Sequence, residues 1–140
     1  MEMTENDKKK RYLFGYRDAL RKQKSIEEEI RELRLNRMLP SLTQDGMPHG
    51  SGGSDMSGYA AKLDELLRDL DEQAQRCIDI RREIAGKIEA MQDETEKLVL
   101  RLRYIHGKKW EEIAVEMGYE FRYVLKIHGR ALKNFGVEKT

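Results

Sequence analysis

A single cysteine, Cys77, leaves nothing from which to build an intrachain disulfide framework or a multi-cysteine metal site. Only two prolines occur, Pro40 and Pro48, both in one short stretch, so the rest of the chain is clear of the residue that most strongly breaks helices. Aromatic residues make up 7% of the chain, no segment alternates as a strand would, and no apolar run approaches the ~20 residues needed to span a bilayer. The polar N-terminus, 1–10, runs into Lys8-Lys9-Lys10-Arg11 and lacks the apolar core of a secretion signal. These absences make a reducing cytoplasm, away from membranes, the expected location.

What is present is charge: 38% of the 140 residues are charged and 39% are hydrophobic, the composition of long, surface-rich helices rather than of a large compact core. The formal net charge of +1 is unevenly spread. From Lys97 to Asn134 there are nine Lys/Arg against four Asp/Glu, so the electrostatics point to the C-terminal end.

Residues 1–39 read as one long helix from about Asp7. Tyr12, Tyr16, Ala19, Gln23, Ile26, Ile30 and Leu33 recur at spacings of four and three, a heptad seam interrupted at Gln23 and flanked by mixed charge. The basic run at Lys8 to Arg11 fits a solvated tail better than a second nucleic-acid contact. Residues 40–58 hold both prolines, five glycines and four serines, and read as a flexible linker. Its Gly50-Ser51-Gly52-Gly53-Ser54 lacks the lysine and the strand-to-helix setting of a phosphate-cradling loop.

A second long helix is expected over 59–92, with Leu63, Leu67, Leu70, Ala74, Cys77, Ile84, Ile88 and Met91 on its seam and Arg81 interrupting it. Ile78 and Ile80 broaden the apolar stripe. Two seamed helices of similar length on one soft connection predict an antiparallel, coiled-coil-like hairpin. Pairing of the same stripes between chains, giving a homodimer, is the alternative.

Residues 93–136 carry the pattern of a helix-turn-helix, followed by a tail at 137–140. Asp93-Glu94-Thr95-Glu96 suits a helix start and Gly107 a helix end. Next come Ile113, Ala114 and Met117 on one face of a short helix, Gly118 for a positive φ in the turn, and Val124 and Ile127 pointing back from the next helix. The expected fold is therefore all-α: a long hairpin, then a three-helix domain. The second helix of the motif carries Arg122, Lys126, Arg130 and Lys133 and no acidic residue, which suits DNA phosphates and a major groove.

The string Leu100-Arg101-Leu102-Arg103-Tyr104, Gly107, Trp110-Glu111-Glu112-Ile113-Ala114, Met117-Gly118-Tyr119, Val124, Ile127-His128 and Ala131-Leu132 resembles region four of bacterial sigma factors, over about a third of the chain. The whole layout is similar to a family of small phage and prophage sigma-like regulators of Gram-positive bacteria. That resemblance implies a sequence-specific regulator of phage genes that binds double-stranded DNA and acts with host RNA polymerase or a resident sigma factor. By position it makes Phe121, Arg122, Leu125 and Lys126 base-facing, with Arg122 and Lys126 reading guanine, and it sets Lys108, Lys109, Arg130 and Lys133 against phosphates. Phe121 and Leu125 suit thymine methyls and ordinary packing equally. One departure is Glu120, where the helix start usually carries Ser or Thr; it brings a negative charge toward the DNA backbone, or accepts from a cytosine amine. The segments of a sigma factor that hold polymerase and melt promoters are not in this sequence, which favours an activator over a complete sigma factor.

No catalytic constellation stands out. His49, His106 and His128 are dispersed, no third ligand accompanies His106 and His128, and Glu111 and Glu112 face different directions on their helix. An enzyme, a metal site and a cofactor are accordingly not expected. Two further classes stay open on the sequence: a terminase small-subunit-like packaging protein, and a coiled-coil adaptor without DNA binding.

Overall fold

The computed structural model describes residues 2–38 and 52–136. Among them are five α-helices: α1 (Glu5–Met38), α2 (Gly52–Glu89), α3 (Glu94–Leu100), α4 (Trp110–Met117) and α5 (Phe121–Asn134), with a π-helical turn, Arg101–Ile105, continuing α3. The expected all-α fold is present. A long antiparallel α1·α2 hairpin is followed by a compact bundle of small helices.

The contacts divide the chain into two compact units, Met1–Ala19 with Cys77–Thr140, and Leu20–Arg76. In Leu20–Arg76, Ile30 and Leu66 are buried, and Ile30 and Leu35 share a groove with Leu67 and Leu70. Near the connected end of the pair, the Arg37 guanidinium bonds the Met56 sulfur and lies over the Tyr59 ring. Antiparallel pairing follows from this order, since successive residues of α1 meet α2 in descending sequence.

Two expectations for α2 need correction. Its helix begins at Gly52 rather than Tyr59, so the last part of the expected linker is helical. Glycine weakens a helix by only ~1 kcal/mol per residue, and the contacts of Arg37 with Met56 and Tyr59 support the added turns. Second, Leu67 is 41% exposed while Leu66 is buried. The core-facing line runs through Leu63, Leu66, Leu70, Gln73 and Cys77, which shares alternate positions with the expected one but steps three then four instead of four then three. Ile78, likewise, is half exposed. The rest of the linker, 40–51, with His49 and Gly50-Ser51, and the tail 137–140 lie outside the described residues.

The other unit is built around Leu13, Ile84, Ile88, Leu100, Tyr104, Ile105, Ala131, Leu132 and Phe135. The first turns of α1 and the last turns of α2 therefore share one core with α3 and α5. Leu13 is fully buried there, Phe14 meets Tyr104 edge-on at 5.0 Å and Tyr12 lies 6.0 Å from Phe135. Polar contacts fasten the same joint: Lys9 Nζ donates to the Leu132 and Lys133 carbonyls at 2.9 and 3.2 Å, and Arg17 donates to the Ile105 carbonyl at 3.3 Å. Cationic Lys9 sits where the C-terminal end of α5 presents its last carbonyls and partial negative charge.

No helix among the described residues is long and apolar enough to cross a membrane.

Candidate nucleic-acid interface

The surface of interest is α5, and its placement begins with α3. Asp93 caps α3 by accepting from the Glu96 amide at 2.9 Å, as its sequence suggests. Buried Glu96 then accepts from Asn134 at 2.9 Å and lies 3.8 Å from Arg130, so α3 grips the far end of α5. Buried Lys97 bonds Glu89 and Glu94, each at 3.1 Å, and these carboxylates hold its ammonium above the ordinary lysine range. Arg101 meets the same Glu89 at 2.8 Å. The π-helical turn ends when His106 donates to the Arg101 carbonyl and Gly107 takes φ +67°, which reverses the chain toward α4.

In α4, the Glu112 carboxylate accepts from the Lys109 amide at 2.9 Å, tying down the helix start. The helix ends at Gly118, whose φ of +72° and ψ of +30° are left-handed. Tyr119 N–H then closes back on the Ala114 carbonyl at 3.0 Å. Glu120 is the residue before α5 and makes no side-chain cap, in line with its departure from Ser or Thr. Ile113, Ala114, Val124 and Leu102 form a small buried cluster with Trp110 and Met117 packed on it. Ile127 is fully buried as well. All six expected packing positions thus lie at or beside the α4–α5 junction, Gly118 as its turn.

The outer face of α5 is orderly. Val124, Ile127, His128, Ala131 and Leu132 face inward. Opposite them Arg122, Lys126, Gly129 and Lys133 follow one another at spacings of four, three and four, and all are exposed. Phe121 and Leu125 form a ridge on one flank, 41% and 38% exposed. Tyr123 and Arg130 form the other, and Tyr123 stands edge-on to Tyr119 at 5.0 Å. Val115, on α4, is 83% exposed.

The eight residues expected to touch DNA are not equivalent. Phe121, Arg122, Leu125 and Lys126 are all exposed in the first two turns of α5. Lys133 lies in line with Arg122 and Lys126, and none of these three cations makes an ion pair among the described residues. Arg130 is shared with Glu96, and Lys108 bonds Glu116 at 2.5 Å. Lys109 is exposed at the start of α4. No family model matches this chain, and neither a curated protein nor a solved structure matches it.

Behind the face lies a polar and aromatic cluster centred on His128. Its Nε2 is 2.7 Å from the Tyr104 hydroxyl, with the imidazole tautomer setting which of the two donates. The Trp110 ring sits 4.5 Å from the imidazole, and the Arg103 guanidinium lies 4.5 Å from the Trp110 centroid while donating to the Lys108 carbonyl. Burial, with Lys10 and Arg103 nearby, pushes the His128 pKa down to about 4, and burial pushes Tyr104 up to about 12. His128 is therefore a neutral core residue that fixes the rotation of α5. Its inward role is written in its spacing, four residues beyond Val124. His106 is exposed, and no group of three or more His, Cys, Asp or Glu among the described residues could hold a metal ion.

Proposed function

We propose that this chain is a sequence-specific double-stranded-DNA-binding regulator of phage or prophage transcription, with a sigma-region-four-like helix-turn-helix that presents α5 to a major groove. The observation that carries the reading is the outward line Arg122, Lys126 and Lys133, exposed and without acidic partners among the described residues, on a helix whose opposite face is locked into the core. Long donors at Arg122 and Lys126 suit guanine O6 and N7, Phe121 and Leu125 suit thymine methyls, and Lys133 suits a phosphate. Lys109 is a further phosphate contact. Lys108 and Arg130, engaged with Glu116 and Glu96, contribute less to this reading.

Val115, Tyr119 and Tyr123 give this face an apolar margin as well as a charged one. That margin supports an activator that touches a protein such as host RNA polymerase or a sigma factor while on DNA. It also favours a second reading, an adaptor in which the whole face takes a protein.

The deciding experiment is selection of bound sequences from a random duplex pool by the full chain, with the Arg122→Ala/Lys126→Ala protein beside it. An enriched motif that the double variant loses is the expected result. Within that motif Arg122→Ala should relax preference at one position by about 1–3 kcal/mol, while Lys133→Ala should weaken all sequences alike and reduce the salt slope by about 1. Failure of the unaltered protein to enrich any sequence would favour the adaptor.

A further inference from the structure

Gly129 lies at the middle of the outward basic line, and nothing inside the protein calls for a glycine there. Its φ is not in the positive range, and a Cβ built on it would meet no atom of the described residues within 4 Å. Glycine is the weakest helix former after proline, so this position is held at a cost to α5 that packing does not explain. Openness alone is not decisive, because Gly15, Gly58 and Gly86 are equally open helical glycines. Each of those, however, has an acidic residue three positions away: Asp18, Asp55, and Glu83 with Glu89. Gly129 instead stands between Lys126 and Lys133, with Leu125 and Leu132 completing its surroundings at three and four residues.

We propose that the sugar–phosphate backbone of the bound duplex crosses α5 at Gly129, where the missing side chain lets the duplex approach closely enough for Lys133 to reach a phosphate there while Lys126, on the other side of the glycine, reaches a base edge. This rests on the DNA-binding reading and adds to it a point of closest approach. A side chain at this position would hold the duplex off the helix and lengthen both lysine contacts, although neither lysine had changed. The charge line and the gap in it then act together: the cations draw the duplex in and the glycine lets it close on the helix.

The test uses the full chain carrying Gly129→Ala or Gly129→Leu, with thermal melting and with duplex binding measured across a salt series on the selected motif. Gly129→Ala is expected to raise the melting temperature by roughly 2–6 °C, because alanine favours the helix and finds open space. The same variant should bind about fivefold more weakly, and Gly129→Leu tenfold or more, with a salt slope lower by about 1 and the motif unchanged. Stability gained while affinity is lost is an outcome that a structural glycine would not give. Duplex binding by Gly129→Leu at the unaltered affinity overturns the inference, and so does a lower melting temperature for Gly129→Ala. If the unaltered chain enriches a motif that Arg122→Ala/Lys126→Ala loses while both Gly129 variants bind normally, only the inference fails. If the unaltered chain has no affinity for duplex DNA, the functional reading fails with it.

Discussion

Lowering the pH from 7 to 4 should destabilise the unit that contains α5, and His128 sets how steeply. The imidazole is 7% exposed, bonded to Tyr104 and pressed against Trp110, and burial depresses its pKa from 6.5 to about 4. Between those two values the unfolded chain holds a proton that the folded chain refuses. Stability therefore rises with pH across this window and is lost as pH falls from 6.5 toward 4. At 1.36 kcal/mol per pH unit the full difference is about 3 kcal/mol, a large share of what holds a small domain together. Carboxylates titrate in the same range, so the measurement is a comparison. Urea unfolding of the full chain at pH 7, 6, 5 and 4 would be run beside His128→Gln, which keeps a polar partner for Tyr104 and has no proton to gain. The unaltered protein should lose about 3 kcal/mol more than the variant over the window. Parallel curves would refute the assignment, as would an NMR titration of His128 with its midpoint near 6.5.

Two further perturbations probe the packing. Leu13→Ala should destabilise the α5-containing unit by about 2–5 kcal/mol, read by urea unfolding, although Leu13 lies far from α5 in sequence; a loss under 1 kcal/mol would mean that α1 is not part of that core. Ala114→Leu should cost roughly 1–3 kcal/mol by overpacking the α4–α5 junction, and an unchanged melting profile would remove Ala114 from that role.

The residues that declared themselves in the sequence are those whose job is local. Asp93 caps the helix that follows it, Gly107 and Gly118 take the positive φ their turns demand, and Ile113, Val124 and Ile127 sit where period 3.6 places them. Leu13 was not legible, because it lies off the Tyr12–Tyr16 seam and is buried only because a second element covers another face of α1. The shift from Leu67 to Leu66 was hidden for a related reason: two lines one residue apart share Leu63, Leu70 and Cys77, and only the partner helix chooses between them. On the candidate surface the cations of α5 were visible in sequence, while the ion pairs of Lys108 and Arg130 depend on where Glu116 and Glu96 come to rest.

The joint between α1 and the far end of α5 also has a consequence for how the protein is made. Lys9 and the Leu132 carbonyl it caps are 123 residues apart, and Leu13 leaves the ribosome long before Ala131, Leu132 and Phe135 are joined to the chain. During synthesis the first turns of α1 must wait with their apolar side uncovered. Leu20–Arg76, by contrast, is continuous in sequence and can pair as soon as it emerges. Once paired, it shortens the loop that the remaining contacts must close, and so lowers their entropic cost. A chain beginning after residue 20 would carry every residue of the helix-turn-helix and still lack part of the core on which it folds.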